Sequence, residues 1–558
     1  MRLKDATASD RPGNFSQPRH GRTLPGARPL ALAVSVLLLG GVHDTHAAAP
    51  VFPSTLNLGS LTGANGFRMD GVAAYDYAGF ATSAAGDING DGIDDLVIGA
   101  PYADPSGGQS GSAYVVFGKR TPFQSALPLG SLDGTNGFRL DGSRHYDNVG
   151  IAVSPAGDVN GDGFDDIIVG ASRASSTTMY AGSAYVVFGH RQPFPAALKL
   201  ARLNGTNGFC LEGTSTDDFT ASSVSAAGDV NGDGLDDIVV GAPGVSPNGV
   251  SQAGSSYVVF GKRTPFSAIV ALSSLDGSNG VRLDGETQGD LSGWSVRAAG
   301  DLNADGISDL VIGAMLASPN GPKSGRAYVV FGHTTPFSAT VALSSLDGET
   351  GFRLDGISAD DNFGVWAGAA GDVNGDGVDD LIVGANGADP NGEHSGSSYV
   401  IFGRSTPFAS TLALSSLNGA NGFRLDGAAP NENSGRRVGA AGDLNDDGVD
   451  DLVITAFAAG SNGLNSGSTY VVYGHTTPFA QSMALADLDG ANGFRLVGAA
   501  AGDLSGSSAG AAGDINGDGV DDLIIGAYFA GSEGLFHSGH SYVVFGRRDA
   551  IFNDGFEQ

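Results

Sequence analysis

A nine-residue pattern, Asp-x-Asn-x-Asp-Gly-x-x-Asp, recurs seven times, beginning at Asp87, Asp158, Asp229, Asp301, Asp372, Asp443 and Asp514. The separation is 71 residues at every step but one, where it is 72. A period of this size means one supersecondary unit per repeat. Such a unit cannot bury its own apolar face, so the repeats must pack on one another.

The pattern is also a chelate. Side-chain oxygens stand at positions 1, 3, 5 and 9, and position 7 can offer only its backbone carbonyl. The first copy supplies Asp87, Asn89, Asp91, Ile93 and Asp95; the second Asp158, Asn160, Asp162, Phe164 and Asp166. The third supplies Asp229, Asn231, Asp233, Leu235 and Asp237; the fourth Asp301, Asn303, Asp305, Ile307 and Asp309. Asp372, Asn374, Asp376, Val378 and Asp380 follow, then Asp443, Asn445, Asp447, Val449 and Asp451, and last Asp514, Asn516, Asp518, Val520 and Asp522. Three carboxylates with an amide and a carbonyl oxygen suit calcium, whereas softer metals want Cys or His. Up to seven calcium ions are expected. An EF-hand loop begins the same way but needs an acid at position 12 and a helix after it. Here position 12 is apolar in every copy, from Ile98 to Ile525. The next residues, as in Asp-Leu-Val-Ile-Gly-Ala at 95–100, read as a strand. Gly92 and its counterparts at position 6 mark a turn that needs positive φ.

Each period holds four strand-like runs, in the first case Phe80–Ala85, Asp95–Ala100, Ala113–Phe117 and Gly137–Leu140. Four short strands per repeat and seven repeats predict an all-β fold, a seven-bladed β-propeller of four-stranded antiparallel blades. A solenoid is the runner-up, but it calls for distinct capping repeats. The ends favour closure. A Gly-Phe-Arg strand at 66–70 precedes the first loop, and none follows the last Tyr-Val-Val-Phe-Gly at Gly546. The N-terminal strand is therefore expected to complete the last blade. The ordered chain should begin near Pro50 and end near Phe552, so that residues 48–558 form one domain.

The loops, the Gly-Ala-Pro after two of them (Gly99–Pro101 and Gly241–Pro243) and the intact Phe363-Gly364 resemble the FG-GAP repeats of the integrin α-subunit propeller. The likeness extends over residues 50–552. It implies the propeller fold and calcium binding. Adhesion is a further implication, and fold does not fix function. Gly-Ala fails once, at Thr455-Ala456. Seven intact loops depart from the family pattern, in which only some blades carry one.

The chain has 60 acidic against 29 basic residues, for a net charge of −31. The seven loops hold 28 of the acids, so the acidity is largely chelating apparatus. A polyanion such as nucleic acid is an unsuitable partner. Residues 1–47 differ: basic residues from Arg2 to Arg28 precede an apolar run from Leu30 to Val42, and Thr45-His46-Ala47 resembles a cleavage site. This reads as a signal peptide for export, to the medium or the cell surface. The alternative is a membrane anchor, for which the run is short. Loss of its six basic and three acidic residues would take the charge from −31 to −34 and leave no transmembrane segment. The single cysteine, Cys210, rules out an intrachain disulfide.

Alternating connections put the calcium loops on one face and the 4–1 loops on the other. An acid recurs in every 4–1 loop: Asp76, Asp147, Asp218, Asp290, Asp361, Glu432 and Asp503. Because every blade has it, it reads as a turn-maker. A specific site belongs where repeats differ. Trp294 and Trp366, the only tryptophans, fall in adjacent blades, and Arg436 and Arg437 share their registers one blade on. This patch could hold a sugar or peptide, or the rings could simply fill the taper between blades. His190, His333 and His475 occupy a slot that is Lys or Arg elsewhere and read as repeat variation. The sequence contains no catalytic constellation outside repeat register. The leading expectation is a binding or adhesion module for an extracellular protein or glycan. A glycan-active hydrolase or lyase, or a structural surface component, is the alternative.

Overall fold

The computed structural model describes residues 52–174, 178–532 and 534–548. The expected signal peptide at 1–47 and the expected end at Phe552 lie outside them. Seven sheets form the blades of a propeller, and short 3-10 turns are the only helical elements described.

The blade after the first loop shows the pattern. Ala81–Gly86, Asp95–Ala100, Ser112–Val116 and Gly137–Asp141 pair antiparallel in that order. Each boundary lies within one or two residues of its predicted position. Asp95–Ala100 is buried along its whole length, as a strand covered on both faces should be. Every first strand ends in a bulge before its loop, as between Ala84 and Gly86. The extra residue turns the chain into the loop.

The blades have five strands, not four. The connection between the third and fourth strands first visits the preceding blade, where three residues pair parallel with that blade's fourth strand. Ala126–Pro128 lies on Gly66–Asp70 in this way, and Ala197–Lys199 on Gly137–Asp141. A three-residue strand is too short for alternation to reveal. Its effect is to lace each blade to its neighbour and cover the outer edge.

The ring closes as expected. Gly66–Asp70 pairs antiparallel with His540–Val544, in register from Gly66↔Val544 to Asp70↔His540. Thr55–Asn57 adds the outer parallel strand to the blade before, on Gly493–Val497. Two blades are thus finished by the N-terminus.

The core lies between blades. In six blades the Phe of the fourth strand stacks on a Phe of the following repeat's connection, as Phe138 on Phe194 at 4.7 Å, Phe352 on Phe408 at 4.5 Å and Phe494 on Phe52 at 4.3 Å; Val281 holds the place in the remaining blade. The variable cationic slot covers the outer face of these rings. Lys119 lies 4.6 Å over Phe123 and Arg404 4.1 Å over Phe408. His190, His333 and His475 stack on Phe194, Phe337 and Phe479 at 4.0, 3.9 and 3.9 Å. The three histidines are therefore variants of one packing position.

Candidate metal loops, ligand face and channel

Each loop is wound by its own first aspartate. The Oδ1 of Asp87 accepts from the Asp91 amide at 3.0 Å and its Oδ2 from the Gly92 amide at 2.8 Å. Asp91 in turn accepts from the Ile93 amide at 3.1 Å. The pattern repeats in the other six, as at Asp301 with Asp305 and Gly306. The Gly at position 6 has positive φ throughout, from 82° at Gly92 to 88° at Gly163. Position 4 also needs it: Gly90 is at 71°, while Ala304 and Asp446 are both at 58°.

The ninth-position aspartates are fully buried. Asp95 Oδ1 accepts from the Gly118 amide at 2.9 Å, and Asn89 Nδ2 stands 3.2 Å from each of its oxygens. Burial first, then the nearby Asp91 and Asp87, pushes the Asp95 carboxyl up to about 8. Asp166 is raised to about 9, and Asp237, Asp309, Asp380 and Asp522 to about 8; Asp451 is also raised. Asn89 Oδ1 and Asn303 Oδ1 are buried with no hydrogen-bond partner. A buried carboxyl with two further carboxylates nearby, beside an amide oxygen without a partner, is a setting that a cation would relieve, and the donors are all hard oxygens. Among the described residues no three acidic, His or Cys side chains close round one point. The first-position carboxylates are turned toward the amides of their own loops.

Position 8 carries a role that the sequence reading passed over. The Asp87 amide donates to Asp165 Oδ2 of the next blade at 2.8 Å, and the Asp158 amide to Asp236 at 2.9 Å. Asp301, Asp372 and Asp443 donate likewise to Asp379, Asp450 and Asp521. The Asp514 amide donates to Asp94 in the same way, and at the junction with Asp229 Ser308 holds the place, its own amide donating to the Asp229 carbonyl. A Cβ on Gly86 would stand 2.3 Å from Asp165 Oδ2, so glycine there makes room for the bond. A second bond runs beside the first: position-2 carbonyls such as Ile88 and Val159 accept from the slot amides of His190 and Lys262. The metal-type loops are thus tied into one ring. Position 8 is acidic in six of seven copies, and that was the available signal.

On the opposite face the recurrent acids hold turns. Asp76 accepts from the Ala73 amide at 3.0 Å, Asp218 from Ser215 at 2.7 Å and Asp361 from Ser358 at 2.8 Å. Burial lifts Asp76 and Asp290 to about 6. The same face has a cavity of about 650 Å³ between the last blade and the first two, walled by Tyr75, Tyr77, Tyr102, Tyr146 and Tyr528 with Asp104 at its rim. Tyr77 lies 5.2 Å from Tyr102 and 5.4 Å from Phe529, and Tyr528 4.7 Å from Phe529. Tyr75 and Tyr146 are each 55% exposed. Their register is left-handed in every blade, held elsewhere by Asp217, Gly289, Asp360, Asn431 and Gly502. Tyrosine at φ of 67° and 66° there is strained, Tyr77 at 56° is left-handed as well, and all three rings face this cavity. The sequence reading did not single out this cluster, because it assembles from loops of three blades.

The predicted Trp–Arg patch is partly assembled. Arg437 Cζ lies 3.5 Å from the ring centre of Trp366. Arg297, which the sequence reading did not select, lies 4.8 Å from the same ring. Among the described residues Trp294 stacks with none of them, and Arg436 stands apart from the ring. The three stacked groups line the axial channel with residues of all seven first strands or their approaches.

Seven five-stranded blades, closed by the N-terminus and edged by seven aspartate-rich loops, define a β-propeller with one metal-type face and one loop-built face. The chain is an FG-GAP repeat protein: the FG-GAP repeat model matches residues 78–116, 149–187, 220–259, 292–330, 364–401 and 498–544. The unmatched blade contains Arg436, Arg437 and Thr455. The chain is 27% identical over 317 residues to a phosphatidylinositol-glycan-specific phospholipase D of Dictyostelium discoideum, 54% of this chain and 31% of that protein. It is 30% identical over 247 residues to integrin alpha pat-2 of Caenorhabditis elegans, 44% of this chain and 18% of that one. To integrin alpha-6 of Gallus gallus it is 29% identical over 245 residues, 44% of this chain and 19% of the relative. The chain thus spans less than a third of the length of each of these relatives. No helix among the described residues is long and apolar enough to cross a membrane.

Proposed function

We propose that the protein is an exported, calcium-loaded propeller that binds an extracellular protein or glycan on the face opposite its metal-type loops. The tyrosine cavity carries this reading. Aromatic side chains gather at one junction, three of them at left-handed φ, and at the register of Tyr75 and Tyr146 the other blades place Gly, Asn or Asp. Tyrosine offers a stacking face and a hydroxyl at little entropic cost, and Asp104 adds an acceptor. The likeness to integrin alpha subunits supports a binding module. When bound, calcium would neutralise the carboxylates at positions 1, 5 and 9 and take the Asn and position-7 carbonyl oxygens. The loops would then hold the blades, and through them the cavity, in one arrangement.

The test is a glycan and protein array probed with the native chain, with Tyr102→Ala and with Tyr528→Ala, each in about 1 mM calcium and in chelator. Ligands should appear with the native chain in calcium and weaken at least about tenfold in either variant, the loss of a stacking contact or two. Binding indifferent to both substitutions would move the ligand site elsewhere.

A further inference from the structure

The axial channel is walled by the first strands, which are short of charge. Most read like Ala81–Gly86, Ala-Thr-Ser-Ala-Ala-Gly. At the register of Arg297 the other six blades have Ser83, Ser154, Ser225, Gly368, Gly439 and Gly510. One long cation has been placed where every other blade is small.

Arg437 enters the same lumen from the blade that breaks the Gly-Ala pattern. The residue responsible, Thr455, accepts from the Arg437 amide at 3.1 Å through Oγ1, while Arg437 Nε donates to the Ser507 carbonyl at 3.2 Å. Trp366 sits on the blade between those of Arg297 and Arg437 and receives both guanidinium groups. The two departures from the repeat are thus coupled: Thr455 fixes the backbone of Arg437, and Trp366 fixes its head.

Neither guanidinium has a carboxylate partner among the described residues, although other arginines do, such as Arg139 with Asp141 at 2.6 Å. In a chain with 60 acids this is notable. Both side chains are half-buried and line the channel, away from the outer surface of the ring. Burial pushes Arg297 down to about 10, and burial together with Arg436 and Arg297 also pushes Arg437 well down. Like charges gathered in a half-buried channel wall without a counter-charge are costly. Their stacking on Trp366 also takes up the indole face that a sugar would need. What remains is a cavity of about 40 Å³ with two cationic side chains in its wall. The nearby hydroxyls are already bonded, Ser222 to the Phe219 carbonyl, Ser508 to the Gly79 carbonyl and Thr82 to Ser508.

We propose that the axial channel binds one small anion, drawn to the guanidinium groups of Arg297 and Arg437 in the wall of this cavity. The guest is a halide, a carboxylate or a compact oxyanion, since the lumen has room for little more. The site is independent of the tyrosine cavity, and its failure would leave that reading untouched.

Trp366 supplies the probe. Trp294→Phe leaves it as the sole tryptophan, and Trp294 is no part of the stack. Its emission is followed in that background at constant ionic strength and fixed calcium, while chloride, acetate or sulfate replaces a bulky organic anion. At least one of the three should give a saturable change together with a rise in melting temperature, which also ranks the guests. In Arg297→Gln the midpoint should weaken at least tenfold, and Arg297→Lys should restore part of the affinity. Arg297 is used because its register accepts small residues in six blades, so the variant has room to fold. A response that is linear in every salt, or saturable but unchanged in Arg297→Gln, would overturn the proposal.

Discussion

Asp94 Oδ2 accepts a hydrogen bond from the backbone amide of Asp514 at 2.9 Å, joining residues 420 apart in the chain. It is the closing member of the ring of loop-to-loop bonds, identical in kind to Asp165 with Asp87. Unlike the others, it joins the last blade to the first. A hydrogen bond to a carboxylate contributes about 1.5–3 kcal/mol. Asp94→Ala should therefore lower the unfolding free energy by about 1–2 kcal/mol in urea titration, since the half-exposed site keeps the loss from the top of the range. Ser308→Ala, at the one junction without the carboxylate, should cost much less. Equal effects of the two substitutions would mean that the carboxylate bond is not what ties the blades.

The N-terminal strands should be needed far from where they start. Deleting residues 48–72 removes the fourth strand of the last blade and the fifth strand of the one before it. Amide exchange should then show Tyr542–Val544 losing protection, while the blade after Asp158 keeps its own. Protection retained at Tyr542–Val544, with loosening only near Asp87, would contradict the observed closure.

What the sequence revealed depended on range. The four main strands and the closing strand were legible because a buried strand such as Asp95–Ala100 writes its burial into consecutive residues. The fifth strand was not, since Ala126–Pro128 has three residues and takes its partner from another repeat. Trp366 and Arg437 were legible as departures at one register in adjacent blades. Arg297 was missed because it lies two residues further along its strand and meets them only through the channel. Position 8 was hidden in plain view: its acid reads as part of a chelating loop, whereas its partner is the amide of Asp87 or Asp514, in a different blade.

The loop at Asp301 should be the weakest of the seven. Ala304 sits at φ 58°, where five other copies have Gly and Asp446 is the remaining exception. A left-handed alanine costs about 1 kcal/mol, and aspartate tolerates the conformation better. Ala304→Gly should raise stability by up to about 1 kcal/mol and tighten metal binding at that loop, read by calorimetric titration. Weaker binding in the variant would contradict the argument from backbone strain.

The most direct test of the account is the thermal melt of the chain with calcium and with chelator. If each loop binds with a dissociation constant of about 0.1 mM, calcium at about 1 mM adds on the order of 1.4 kcal/mol per site. Seven loops tied into one ring should sum these increments into a large shift of a single transition. The account predicts a melting temperature that rises steeply with calcium and falls on chelation, with close to seven ions bound per chain at saturation. A melt unchanged by chelator would contradict it.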